Sequence, residues 1–167
     1  VLQNYRNYNM TLPENIEIAQ PDKDSTSCIL NDVCQQAGVN LYDESYKNGF
    51  DTMLGRDFGG TELSGGQWQR IAIARSLFRD SQLIVLDEPT AAIDPFEETR
   101  LYNNFINLCR DKTAILVTHR LGSAKIADRI IVMKDGKIIQ DGTHDQLIQI
   151  NGEYKTMYNA QSKWYTE

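Results

Sequence analysis

The chain has 167 residues, 17 of them basic and 23 acidic, for a formal charge of −6. That length fits one domain with a real core, and the acidic balance argues against nucleic acid or an anionic membrane as the main partner. No apolar run approaches the length of a membrane helix, the polar start is not a signal peptide, and Cys28, Cys34 and Cys109 lack metal-ligand spacing and read as free thiols in a reducing compartment.

The opening Val1-Leu2-Gln3 reads as the tail of a strand. Asp24 or Ser25 can cap a helix running to about Ala37, with Gly38 as its stop and with Cys28, Ile29, Val33 and Cys34 on its inner face. Leu63-Ser64-Gly65-Gly66-Gln67 then leads into a further helix: residues 69–78 contain no Gly or Pro and place Ile71, Ala74, Leu77 and Phe78 on one face. Two adjacent glycines let backbone approach a ligand closely. A helix N-terminus offers N–H groups and a positive dipole end, so the stretch is suited to an anion, and phosphate is the usual one. Ser64 is also a good N-cap residue, and a capped turn is the plain structural alternative.

Leu83-Ile84-Val85-Leu86 reads as a strand buried on both faces, as in a parallel sheet. It ends in Asp87 and Glu88. A carboxylate at a strand end can hold Mg²⁺, usually through water, and its neighbour can take a proton from an attacking water; the alternative is a solvated acidic loop. Residues 95–109 read as a helix with Asp94 as N-cap and Pro95 in the first turn. Ala114-Ile115-Leu116-Val117 is a second buried strand, followed by Thr118-His119-Arg120. Asp135-Gly136 between two apolar runs signals a hairpin. Thr143 and Gln146 form a capping box that makes His144 structural, and residues 154–167 read as a short helix with a frayed tail.

Together Leu63-Ser64-Gly65-Gly66-Gln67 and Leu83-Ile84-Val85-Leu86-Asp87-Glu88 resemble the signature motif and the Walker B strand of ABC transporter nucleotide-binding domains, export type. Gln3-Asn4-Tyr5 with Glu14-Asn15-Ile16 is similar to the Q-loop and the helix after it, Thr90-Ala91-Ala92-Ile93-Asp94 to the D-loop, and Leu116-Val117-Thr118-His119-Arg120 to the switch-histidine motif. The resemblance implies an α/β fold: a P-loop NTPase-like (RecA-like) core with parallel strands, an ABC helical subdomain and a C-terminal β-hairpin. Residues 1–10 would be the Q-loop segment, 11–80 the helical subdomain and 81–167 the C-terminal part of the core.

The resemblance also implies roles. Asp87 and Gln3 would position Mg²⁺ and ATP, Glu88 would activate water, and His119 would steady the γ-phosphate. Leu63, Ser64, Gly65, Gly66 and Gln67 would close over nucleotide held by a second nucleotide-binding domain in a head-to-tail dimer, and Asp94 would reach across that dimer. The other partner would be transmembrane domains, with this chain on the cytoplasmic face of the membrane. Met53-Leu54-Gly55-Arg56 departs from the family pattern before the signature, with Arg56 at an acidic position and about two extra residues in the spacer, and Trp68 replaces a common arginine. These departures resemble a subgroup exporting peptides or lantibiotics.

No GxxxxGKS/T loop is present, since the one Gly-Lys pair, Gly136-Lys137, lies in the hairpin and is followed by Ile138. The 167 residues therefore read as an incomplete nucleotide-binding domain, from the Q-loop onward, that does not hydrolyse ATP alone. Soluble relatives acting in translation, DNA repair or chromosome maintenance are the alternative. The repair and chromosome class should carry heptads before the signature, and residues 11–62 have none.

Overall fold

The computed structural model describes residues 6–88, 109 and 112–163, in two compact units, Val1–Val117 and Thr118–Glu167. The reading of residues 95–109 as a helix capped by Asp94 falls outside the described residues except at Cys109.

The first unit is organised on one helix. α1 (Leu12–Glu17) and α2 (Ser27–Gln36) both pack on α3 (Gly65–Phe78), with Leu12, Ile16, Leu30, Ile71 and Phe78 in the shared core. α1 starts in a capping box: the Thr11 hydroxyl accepts from the Glu14 N–H at 3.5 Å, and Glu14 accepts from the Thr11 N–H at 2.8 Å. The bond from the Thr11 N–H, with a second from the Thr11 hydroxyl at 2.8 Å, holds the Glu14 carboxyl below its ordinary pKa. α3 is buried more widely than one apolar stripe requires: Trp68, Gln69, Ala72 and Ile73 are buried alongside Ile71, Ala74 and Phe78. The expected Leu77 is only partly buried.

Two expectations for α2 are corrected. Its N-cap is Thr26, whose hydroxyl accepts from the Ile29 N–H at 3.3 Å, and neither Asp24 nor Ser25 fills that place. Its inner stripe is Leu30, Val33, Cys34 and Ala37, a 3,4-spaced set. Cys28 lies two residues before Leu30, on the opposite side of a 3.6-residue helix, and is exposed. Burial pushes the Cys34 thiol up to about 12. Gly38 does stop the helix. At φ +75° it lets the Val39 N–H reach the Cys34 carbonyl at 2.8 Å and its own N–H reach the Gln35 carbonyl at 3.1 Å, a Schellman closure.

A polar pair holds the irregular segment before α1 against α3. Arg75 donates through Nε to the Asn15 carbonyl (2.7 Å), through one terminal nitrogen to Asn15 Oδ1 (2.6 Å) and through the other to the Arg6 carbonyl (2.6 Å). Its guanidinium also lies 4.9 Å from the centre of the Tyr8 ring. Asn15, fully buried, donates to the carbonyls of Tyr8, Met10 and Thr11 at 3.0–3.1 Å.

β1 (Leu83–Asp87) and β2 (Thr113–Val117) pair in parallel, with Leu83 opposite Thr113 and Asp87 opposite Val117. The expectation of burial on both faces is corrected. Ile84 and Leu86 are buried, with Leu116 and Cys109 packed on them, while Leu83, Val85, Ile115 and Val117 are 38–50 % exposed. Nothing among the described residues covers that second face.

The second unit comprises α4 (Leu121–Ala124), the antiparallel hairpin β3 (Ile130–Lys134) and β4 (Lys137–Gly142), α5 (His144–Gln149) and α6 (Glu153–Lys163). Asp135 and Gly136 both take positive φ, 49° and 72°, as the tight hairpin turn expected for Asp-Gly requires. Thr143 and Gln146 form the expected capping box. His144 Nδ1 shares a 2.8 Å hydrogen bond with the Tyr154 hydroxyl, and Tyr154 sits with Leu121, Ala124, Ile130 and Leu147 in the core of this unit.

The Arg75–Asn15 pair predicts a stability effect. Replacing either residue by Ala removes its side-chain donors from these carbonyls and leaves the other partner without its hydrogen bond, so the first unit should lose about 2 kcal/mol. Urea unfolding of the two variants checks this, and a double variant should lose clearly less than the sum.

Candidate functional site

Three constellations carry the residues singled out from the sequence. The first is the start of α3. Ser64 is its N-cap: the hydroxyl accepts from the Gln67 N–H at 3.2 Å, and Gln67 Oε1 accepts from the Ser64 N–H at 2.8 Å. The capped-turn reading is therefore realised in the structure, and it is compatible with the anion reading because it orients the loop. Gln67 Nε2 continues to Ser45 Oγ at 2.9 Å and Asp43 Oδ1 at 3.3 Å. Oxygen and nitrogen of the Gln67 side chain are thus both engaged within the chain, and its structural work is to fix the loop. Asp43 caps the short turn Glu44–Tyr46. Hydrogen bonds from the Ser45 hydroxyl and N–H hold its carboxyl low, helped by the Arg70 charge and Gln67.

Leu63 is buried in the core and anchors the loop from behind, while Ser64 and Gly65 are exposed. Gly65 has no positive φ, and a Cβ built on it meets nothing within 4 Å. Neither backbone conformation nor packing inside the chain requires glycine there. Ahead of the signature, Arg56 pairs with Glu62 at 2.8 Å on the surface, and the Leu54 N–H bonds the Met10 carbonyl at 3.0 Å, so the lengthened spacer folds back on the segment before α1.

The second constellation is the end of β1. Asp87 and Glu88 are both half-buried. Glu88 has φ 44°, uncommon for a residue with a side chain, and its N–H extends the parallel ladder to the Val117 carbonyl at 2.9 Å. Strained backbone of this kind collects at functional sites. Among the described residues no group of three or more His, Cys, Asp or Glu side chains could cage a metal. Asp87, half-buried at the end of β1, offers a single carboxylate, the kind of ligand that Mg²⁺ takes beside phosphate and water.

The third is the turn carrying His119, which is exposed. Thr118 Oγ1 accepts from the Arg120 N–H at 2.9 Å. Gln161 on α6 accepts from the Leu121 N–H at 2.8 Å and donates to the His119 carbonyl. Sequence reasoning missed Gln161. The signal was its helical register, since Tyr154, Tyr158 and Gln161 share one face of α6 and a polar residue completes an otherwise aromatic stripe. Gln3 and Asp94 lie outside the described residues.

Residues 4–91 match the family described as ABC transporter, and the chain belongs to that family. It is 41% identical over 163 residues to the subtilin transport ATP-binding protein SpaT of Bacillus subtilis, covering 97% of this chain and 26% of that protein. It is 41% identical over 155 residues to the ATP-dependent lipid A-core flippase of Desulfotalea psychrophila, covering 92% and 26%. Among solved structures it superposes with a bacterial Atm1-family ABC exporter with ATP bound at a TM-score of 0.81 and 27% identity, covering 96% of this chain and 27% of that one. The chain thus spans about a quarter of the length of these relatives. The expected fold class, a P-loop NTPase fold with parallel strands, holds. The alternatives in translation, DNA repair and chromosome maintenance gain no support from these transporter relatives.

The Gly65 geometry makes a prediction independent of function. Gly65→Ala should leave the thermal midpoint unchanged or slightly raised, because the site is open and Ala is the better helix former by up to about 1 kcal/mol. Differential scanning calorimetry checks it, and a clear loss of stability would show that the glycine serves the fold.

Proposed function

We propose that this chain is part of the ATP-hydrolysing motor of an ABC exporter. The observation that carries the reading is Gly65: an exposed glycine at the mouth of a capped fourteen-residue helix, where a Cβ would meet no described residue within 4 Å beyond its own helix turn. Glycine there serves a close approach from outside, and a phosphate of ATP is the ligand that suits a helix N-terminus. The family membership supplies the rest of the reading. Residues 1–10, 11–80 and 81–167 act as Q-loop segment, helical subdomain and C-terminal part of the core. No GxxxxGKS/T loop occurs in these residues, so the cradle for the β- and γ-phosphates comes from outside them.

The reaction is attack of water on the γ-phosphorus with departure of ADP. Glu88 accepts the proton of the attacking water, held by a strand end and a backbone bond to Val117. Asp87 provides a carboxylate and Gln3 a neutral amide oxygen for Mg²⁺, which when bound neutralises phosphate charge. His119 donates to the γ-phosphate, and Ser64, Gly65 and Gly66 bring the helix dipole of α3 to nucleotide bound by a second nucleotide-binding domain. Stabilisation of spread phosphoryl charge by such groups is how this reaction is accelerated. Asp94 contacts the second domain. Closure of this head-to-tail pair moves transmembrane domains, which hold the chain at the cytoplasmic face of the membrane. Among the described residues no helix is long and apolar enough to cross a membrane itself. The similarity to the subtilin transporter favours a peptide cargo.

In the full-length protein, Glu88→Gln should lower ATP turnover at least about a hundredfold while leaving ATP binding and the closed dimer intact. Turnover at the unaltered rate would remove Glu88 from its role. Purified 1–167 alone should show no phosphate release above background in a coupled assay, and real turnover there would contradict the need for an outside phosphate cradle.

A further inference from the structure

We propose that Gln161, on the last described helix, is the positioning residue for His119. The inference rests on the role proposed for His119 above, and its evidence is a bidentate contact. In the turn 118–121 the Arg120 N–H is taken by Thr118 Oγ1; beside it stand the His119 carbonyl and the N–H of Leu121, which begins a four-residue helix, where an N–H has no helical acceptor. The carboxamide of Gln161 satisfies both at once, donating to the His119 carbonyl and accepting from the Leu121 N–H at 2.8 Å. The glutamine amide carries a donor and an acceptor side by side on one planar group. A carboxylate keeps the acceptor and loses the donor, and an apolar side chain loses both.

The clamp is itself held on a rigid support. α6 is anchored by Tyr154, which is 1% exposed, whose N–H bonds Gln140 Oε1 at 2.8 Å and whose hydroxyl bonds His144. α6 and α4 pack together, with Leu121 and Tyr154 in one core. Fixing the peptides on the C-terminal side of His119 fixes the direction of its Cα–Cβ bond, and so where the exposed imidazole can reach. Gln161 touches no substrate in this scheme and acts only through the backbone of His119.

The test uses the full-length protein with Gln161→Leu, Gln161→Glu and His119→Ala. Turnover is counted per bound nucleotide, so that partial unfolding does not lower it. Gln161→Leu should reduce kcat about tenfold or more, with KM for ATP little changed, since a misplacement of about 1 Å is enough for such a loss. In the His119→Ala background the same change should add nothing. Full kcat in Gln161→Leu, or losses that multiply in the double variant, would overturn the proposal. Amide exchange at Leu121 separates this from the functional reading. It should be slow in the unaltered protein and in Gln161→Glu, and fast in Gln161→Leu; equal exchange in all three also overturns the clamp. If the exchange pattern appears but the unaltered protein hydrolyses no ATP, the proposed function fails and the contact stands.

Discussion

The first unit depends on the hydrogen-bonded pair Arg75 and Asn15. The backbone of residues 6–11 belongs to no strand or helix beyond one bridge position, and its carbonyls take scattered backbone bonds, the Tyr8 carbonyl from the Met10 N–H and the Met10 carbonyl from the Leu54 N–H. Asn15 and Arg75 add side-chain donors to this stretch from two different helices. Asn15 turns its amide nitrogen toward Tyr8, Met10 and Thr11, and its oxygen receives Arg75. Burial alone would lower the pKa of Arg75, yet its guanidinium keeps three oxygen partners and an aromatic face, which suits the planar fork of arginine and would not suit lysine. The irregular stretch downstream of Gln3 is thereby fixed to the same helix that presents Ser64 and Gly65.

The same device recurs at the other constellations. Gln67 spans the Ser64 N–H on one side and Asp43 with Ser45 on the other, and Gln161 spans His119 and Leu121. In each case one amide side chain, donor and acceptor at once, stands in for secondary structure where the chain is irregular. Of the residues singled out from the sequence, Ser64 and His119 sit beside such amides, and the amides set the local backbone geometry there.

The difference between local and long-range contacts explains what was legible in the sequence. The helix after Ser64, the Asp-Gly hairpin and the Thr143–Gln146 capping box follow from local rules and are present among the described residues. α2 was displaced because Asp24, Ser25 and Thr26 are all competent caps. The choice among them is made by burial of Leu30 and Cys34, a tertiary fact. The bridges made by Gln67 and Gln161 do not follow from local rules, since they join segments 22 and 40 residues apart in sequence, although register alone places Gln161 on the face of Tyr154 and Tyr158. The strand at Leu83 illustrates the opposite error. An unbroken apolar run correctly signals a parallel strand, but run composition reports the environment for which a strand is suited, and only one face of β1 meets other described residues.

That uncovered face bears on the strand-end site. Parallel sheets are ordinarily covered on both sides, and two strands alone are marginal. Leu83, Val85, Ile115 and Val117 form the open side, and covering each would contribute about 1 kcal/mol at the usual value for apolar surface. Glu88, one residue past the end of this pair, carries a left-handed backbone that costs about 1–3 kcal/mol and is tied to β2 by its N–H to Val117. A backbone strained in this way keeps its geometry only when its surroundings over-determine it. The stabilisation available from covering the open face equals or exceeds the cost at Glu88.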